Sequence, residues 1–175
     1  GNYFYLYIFM AHKKTTVNIS EYRLKSVTVS QTSSGKYYAS ILFEYEYQVQ
    51  EKELQKFLGL DFSMHELYRD SNGKEPAYPG YYRNAEKKLA REQRKLSKMQ
   101  KGSNNRNKQR LKVAKLHEKV SNQRKDFLHK QSRQIANAYD CICIEDLDMK
   151  AMSRSLKFGK SVSDNGWGMF TTFLR

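Results

Sequence analysis

The chain has 175 residues, 39% of them hydrophobic and 13% aromatic, enough for one domain with a core or one small domain beside part of another. Lys and Arg number 32 against 18 Asp and Glu, a net charge of +14, and a protein this basic usually meets a polyanion. The sequence contains no C-x-x-C pair and no H-E-x-x-H, which excludes the common zinc frameworks within this chain.

Asn2 to Ala11 is apolar but too short for a bilayer, which needs roughly 20 residues. No basic segment precedes it, so it does not read as a signal peptide. The first residue is Gly1 rather than Met, and the chain is read as a processed or partial reading frame.

Leu24 to Gln48 predicts a β-hairpin. Tyr37, Ala39, Ile41, Phe43, Tyr45 and Tyr47 alternate with the residues between them, a period of two with one apolar face. Leu24 to Ser30 is the partner strand, and Gln31 to Gly35 is the turn, with Gly35 free to take a positive φ. So aromatic a hairpin needs a third strand, for which the Tyr3 to Phe9 run is the candidate.

After a polar link at Glu51 to Lys56 comes the short apolar run Phe57 to Phe62, interrupted by Asp61. Met64 to Arg69 is expected to be a strand, followed by a tight turn at Asp70-Ser71-Asn72-Gly73. Pro76 and Pro79 block regular structure until about Tyr81.

Two helices are predicted next. Asn84 to Met99 carries Ala85, Leu89, Leu96 and Met99 on a narrow stripe. Gly102 suits a helix end, and Ser103 or Asn104 suits the next start. Asn107 to Tyr139 carries Val113, Leu116, Val120, Phe127, Ile135 and Ala138. The two stripes imply an antiparallel helical hairpin with basic outer faces.

The charge is concentrated there. Between Tyr81 and Arg133 stand 18 basic residues and four acids, so this one segment accounts for the whole net charge of +14. A charge run is ordinarily a solvated face, but four acids are too few to interleave as salt bridges. The expected nucleic-acid contacts are Lys87, Lys88, Arg91, Arg94, Lys95, Lys98, Lys101, Arg106, Lys108, Arg110, Lys112, Arg124 and Lys125.

Cys141 to Ile144 predicts a second buried strand, ending in Glu145-Asp146-Leu147-Asp148. Cys141 and Cys143 would point the same way about 6.5 to 7 Å apart, too far for an unstrained disulfide, and read as small core residues in a reducing compartment. Met149 to Lys160 reads as a helix or an ordered loop. Ser163 to Gly166 is a turn whose Ser163 or Asp164 could cap a helix beginning near Trp167.

Asp61 and Glu145 each end an apolar run. A carboxylate at the C-terminal end of a buried strand can reach the mouth of an α/β sheet, and two on neighbouring strands could bind Mg²⁺. Acids also cap and flank strands for structural reasons, so the pair alone leaves both readings open. Asp146 and Asp148 read as capping or solvent-facing residues.

These segments resemble the TnpB/OrfB family of transposon-encoded proteins. Phe57 to Ser63 resembles its first RuvC-type motif, and Ile142 to Leu147 its second. Arg91 to Ser97, Lys101 to Arg106 and Leu116 to Lys130 are similar to its basic helices and loop, and Ser161 to Gly168 to its Ser-x-Ser-Asp-x-x-Trp-Gly segment. Lys25 to Val29 and Gly35 to Tyr38 resemble the strands before its nuclease domain. In this order, from about Ser20 to Arg175, the set is specific where each motif alone is weak.

The resemblance implies an α/β fold. A partial RNase H-like (RuvC) mixed sheet would occupy 55–175 with a helical insertion at 81–139, and a partial wedge- or OB-like β region would occupy 1–54. It implies a bacterial, cytoplasmic, nucleoid-associated protein with DNA and a guide RNA as partners, no membrane, and Mg²⁺ held by Asp61 and Glu145 for phosphodiester cleavage. The family pattern continues with a zinc ribbon and a third catalytic Asp beyond the equivalent of Arg175. The chain therefore reads as a truncated copy that binds nucleic acid but is not expected to cut alone. The alternatives are a non-catalytic RNA- or DNA-binding module and a helical protein–protein module.

Overall fold

A computed structural model describes residues 3–8, 23–44, 53–149, 151 and 166–174. The chain forms two units, Gly1–Lys52 and Glu53–Arg175.

The first unit is an antiparallel sheet of β1 (Tyr3–Ile8), β2 (Arg23–Gln31) and β3 (Tyr37–Glu44), with β3 in the centre. The expected hairpin is β2–β3, and the Tyr3 run supplies its third strand, pairing Tyr3 with Glu44 and Ile8 with Ala39. The Gly35 amide donates to the Thr32 carbonyl and the Thr32 amide to the Lys36 carbonyl, both at 2.9 Å. Gly35 sits at φ 88, the left-handed conformation this turn requires. A register shift between Leu24 and Ser26 bends β2. Tyr45 and Tyr47, expected to extend the alternation, lie outside the described residues.

The second unit contains a mixed sheet, β5–β4–β6. Its centre is β4 (Phe57–Phe62), antiparallel to β5 (Tyr68–Asp70) and parallel to β6 (Cys141–Ile144). β5 is shorter than the expected Met64–Arg69 strand. The chain bends over 64–67 and begins pairing at Tyr68. Asp70 then closes the turn, its Oδ1 accepting from the amides of Asn72 at 2.9 Å and Lys74 at 2.8 Å.

Helices α1 (Tyr81–Ser97) and α2 (Asn104–Ala138) form the expected hairpin. Both begin three residues earlier than predicted. α1 starts directly after Gly80, whose positive φ turns the chain out of the proline segment. α2 starts at its cap, where Ser103 Oγ accepts from the Arg106 amide at 3.2 Å. Leu89, Val113 and Val120 are buried as the stripes foretold, but Leu128 rather than Phe127 is fully enclosed, and Ala138 is exposed.

Helix α3 (Trp167–Leu174) follows Gly166, with Trp167 and Phe170 buried as expected. The proposed caps Ser163 and Asp164, and most of Met149 to Lys160, lie outside the described residues. The core joins Leu58, Leu60, Leu67 and Tyr68 of the sheet region to Leu128 and Ile135 of α2 and to Trp167 and Phe170 of α3. Tyr68 stacks on Phe170 at 5.4 Å, and Phe62 meets Trp167 edge-on at 5.8 Å. This core covers one face of the sheet.

Candidate functional site

The strand pattern decides where Asp61 lies. Leu58 and Leu60 are buried in the core, so the alternate residues Phe57, Gly59 and Asp61 belong to the opposite face, where Phe57 and Asp61 are exposed. On β5 its register partner is Arg69, which forms an ion pair with Glu75.

The parallel pairing of β4 and β6 matches Phe57 with Cys141, Leu58 with Ile142, Gly59 with Cys143 and Leu60 with Ile144. The residues that follow each strand's last matched position are Asp61 and Glu145. Two carboxylates separated by more than eighty positions in sequence thus leave the same end of neighbouring strands at the same level, and both are exposed.

Paired carboxylates at a strand end are hard oxygen donors. They suit Mg²⁺, which is commonly held by one or two carboxylates with water and substrate phosphate completing its shell. Among the described residues no group of three or more His, Cys, Asp or Glu is clustered as a metal site. Asp148 has the expected capping role, its Oδ1 accepting from the Ala151 amide at 3.0 Å. Of the two free cysteines, Cys141 is half-buried, and burial raises its thiol pKa, but Cys143 is exposed. The expectation of two core thiols fails because Cys141 and Cys143 alternate with Ile142 and Ile144, which meet the core, and so belong to the other face of the sheet with Phe57 and Gly59.

Beside the sheet the hairpin presents its cations. Lys87, Lys88, Arg91, Arg94, Lys95 and Lys98 line an open concavity along α1 that contains one acid, Glu86. Lys101 lies in the turn at the tip, and Lys108, Arg110 and Lys112 are exposed on the first turns of α2. Arg106 is half-buried near the cap. Arg124 and Lys125 stand apart, about 30 Å down α2 from its start, where the Arg124 stem packs beside Gly166. The expected contact set therefore divides into a tip-and-arm group and a base pair of residues.

One residue of this hairpin went unassigned in the sequence. Glu92 is only 1% exposed. Its carboxylate accepts from Gln109 Nε2 at 2.8 Å and lies 3.1 Å from Lys112 Nζ, with Arg91 at 3.4 Å and Lys95 at 3.6 Å. The Gln109 hydrogen bond, then the Lys112 hydrogen bond, hold its pKa down to about 2 against the opposing effect of burial. Its signal was positional: Glu92 falls on the helical stripe between Leu89 and Leu96.

The OrfB_IS605 family model, described as a probable transposase, matches residues 40–156, a stretch that includes Asp61, both hairpin helices and Glu145. The chain is similar to a putative RNA-guided DNA endonuclease of Streptomyces pristinaespiralis, 32% identical over 142 residues, or 81% of this chain and 35% of that protein. It is also similar to the putative RNA-guided DNA endonuclease InsQ of Escherichia coli (strain K12), 35% identical over 159 residues, covering 82% of this chain and 39% of that relative. The chain thus spans less than two-fifths of the length of these relatives.

Proposed function

The chain belongs to the OrfB_IS605 family of probable transposases, and from that premise we propose that it is the nucleic-acid-holding and metal-carboxylate portion of an RNA-guided DNA endonuclease. Its mixed sheet is of the RuvC, RNase H-like type. Asp61 and Glu145 would hold Mg²⁺, which supplies an activated water and stabilises the leaving oxygen of a phosphodiester. The partners are DNA and a guide RNA. Base pairing reads sequence, and the hairpin cations hold backbone phosphates without reading bases.

The observation that carries this reading is the β4–β6 register, which leaves Asp61 and Glu145 at matching strand ends. The concentration of charge supports it, because a cationic arm on the same unit as the paired acids is what phosphate chemistry needs. Asp61 does not contribute to the core, which fits a residue retained for chemistry.

The test is Mn²⁺ binding to the full chain, read by electron paramagnetic resonance, beside nucleic-acid binding read by fluorescence anisotropy. The wild-type chain is expected to bind both. Asp61→Ala should lose the metal and keep the nucleic acid. Unchanged Mn²⁺ binding in Asp61→Ala would overturn the assignment. A second reading, a non-catalytic RNA- or DNA-binding module, is favoured by the lack of a three-member ligand cluster among the described residues. It predicts nucleic-acid binding with no Mn²⁺ signal even in the wild type.

A further inference from the structure

The register that brings Asp61 level with Glu145 is only partly fixed by hydrophobic patterning. Leu58 and Leu60 of β4 and Ile142 and Ile144 of β6 meet the core at every second position. Sliding β6 by one residue would turn its isoleucines outward and is strongly opposed. Sliding it by two residues would restore an isoleucine to the core face. Such a slip would also set Asp140 or Asp146 against the other β4 leucine, so the alternation opposes it, though less than a one-residue slip, which removes both isoleucines from the core. That slip would move Glu145 about 6.5 to 7 Å along the sheet from Asp61.

A contact outside the alternation adds to this choice, and it stands just before β6. Asp140 Oδ2 accepts from the backbone amides of Gln55 at 3.2 Å and Lys56 at 3.0 Å. In return the Lys56 carbonyl accepts from the amides of Asp140 at 2.8 Å and Cys141 at 3.1 Å. The contacts on both sides of this junction are main-chain groups of the segment leading into β4, so they depend on position along the chain and not on side-chain identity. Asp140 also joins the end of α2 to β6, with Tyr139 as the helix cap. It is where the helical insertion is returned to the sheet.

We infer that Asp140 is a positioning residue: its carboxylate clamps the Gln55 and Lys56 amides and thereby selects the β4–β6 register that levels Asp61 with Glu145. The inference rests on the paired-carboxylate reading for its purpose but not for its physics. A carboxylate accepting two backbone amides forms charge-assisted hydrogen bonds, stronger than neutral ones. After a two-residue slip the same carboxylate would face different groups, and both amides would lose their acceptor.

The chain contains a natural reporter of this slip. Its two cysteines, Cys141 and Cys143, are spaced by the two residues in question. Gly59 is the register partner of Cys143. A Cβ built at Gly59 meets Ser71 Cβ at 3.6 Å, an ordinary contact, so Gly59→Cys is sterically admissible. Neighbouring strands lie about 4.7 to 4.9 Å apart, within the Cα spacing a disulfide spans. In the observed register the introduced thiol is opposite Cys143, and after the slip it is opposite Cys141.

The experiment is mild oxidation of Gly59→Cys in the 175-residue chain, with the linkage located by fragment-ion mass spectrometry, in the parent and with Asp140→Ala or Asp140→Asn added. The parent should link 59 to 143. Asp140→Ala should raise the share linked to Cys141 by about tenfold, the scale of a lost charge-assisted hydrogen bond. Asp140→Asn keeps an accepting oxygen but loses the charge assistance, and should raise that share by a smaller factor. A folded Asp140→Ala that links 59 to 143 as the parent does overturns the proposal. If Asp140→Ala does not fold, judged by circular dichroism, Asp140→Asn decides it: a raised share linked to Cys141 supports the clamp, and linkage identical to the parent's overturns it. Mn²⁺ binding measured on Asp140→Ala without the Gly59 change should fall together with the register. A wild type that binds no Mn²⁺ would count against the paired-carboxylate reading alone and leave the clamp to be decided by the disulfide.

Discussion

Gln109 of α2 reaches across the helical hairpin to Glu92 of α1, its Nε2 donating to the Glu92 carboxylate at 2.8 Å and to the Glu92 main-chain carbonyl at 3.0 Å. The pair is enclosed between two helices whose outer faces are cationic. It holds the arms in one register by polar contacts where Leu89 and Val113 supply the apolar ones.

Acid should therefore loosen this hairpin through Glu92. Its folded pKa of about 2 lies below the ordinary value of 4.5, so the unfolded chain takes up its proton first as pH falls. The stabilisation is complete above about pH 4.5 and is lost as pH drops toward 2. Thermal melts followed by circular dichroism between pH 6 and 2 should show this loss, and Glu92→Gln should flatten that part of the profile.

Reversing the charge along α1 should weaken nucleic-acid binding without unfolding the protein. Lys87→Glu, Lys88→Glu and Lys98→Glu alter exposed residues that line one concavity. Each phosphate contact removed should reduce the slope of log affinity against log salt by about 1. Anisotropy titrations at several salt concentrations measure this. The triple variant should lose affinity about equally for unrelated sequences, since backbone contacts carry no base identity.

Glu145→Gln should separate metal binding from stability. Glu145 is exposed and follows the last paired residue of β6. Substitution of such a residue should shift unfolding free energy by no more than about 0.5 kcal/mol. Mn²⁺ binding should nevertheless be lost, as the metal-bearing role of the pair requires. A melt and a metal titration on the same sample compare the two.

Gly166→Ala should destabilise the second unit by more than about 1 kcal/mol. Gly166 has φ 78, and an added Cβ would stand 3.0 Å from Leu128 Cδ1 and 3.3 Å from Arg124 Cδ. Backbone strain and steric crowding act in the same direction. For comparison, Leu128→Ala removes a fully buried core side chain and should cost about 2 to 5 kcal/mol. Denaturant unfolding of the two variants ranks them.

The sequence revealed elements more readily than their relations. Period two gave β2 and β3, and helical periodicity gave α1 and α2, because one buried face imposes a repeat on neighbouring residues. Asp61 and Glu145 stood out because each interrupts an apolar pattern. Glu92 and Asp140 did not. Glu92 occupies a stripe position but is polar, and only Gln109 from the other helix explains it. Asp140 acts on the amides of Gln55 and Lys56, which carry no side-chain signature at all. The exposure of Cys143 was hidden for a related reason: an apolar tetrapeptide does not show whether the core covers one of its faces or both.

Helix α2 runs for 35 residues, about 52 Å, without a glycine or a proline. One part of it lies against α1, and its later turns, at Leu128 and Ile135, are built into the core. With no hinge along its length, it acts as a rigid lever anchored in the domain interior. A phosphate backbone gripped near Lys101 and Lys108 would therefore strain the anchorage at Leu128 and Ile135 more readily than it would bend the arm.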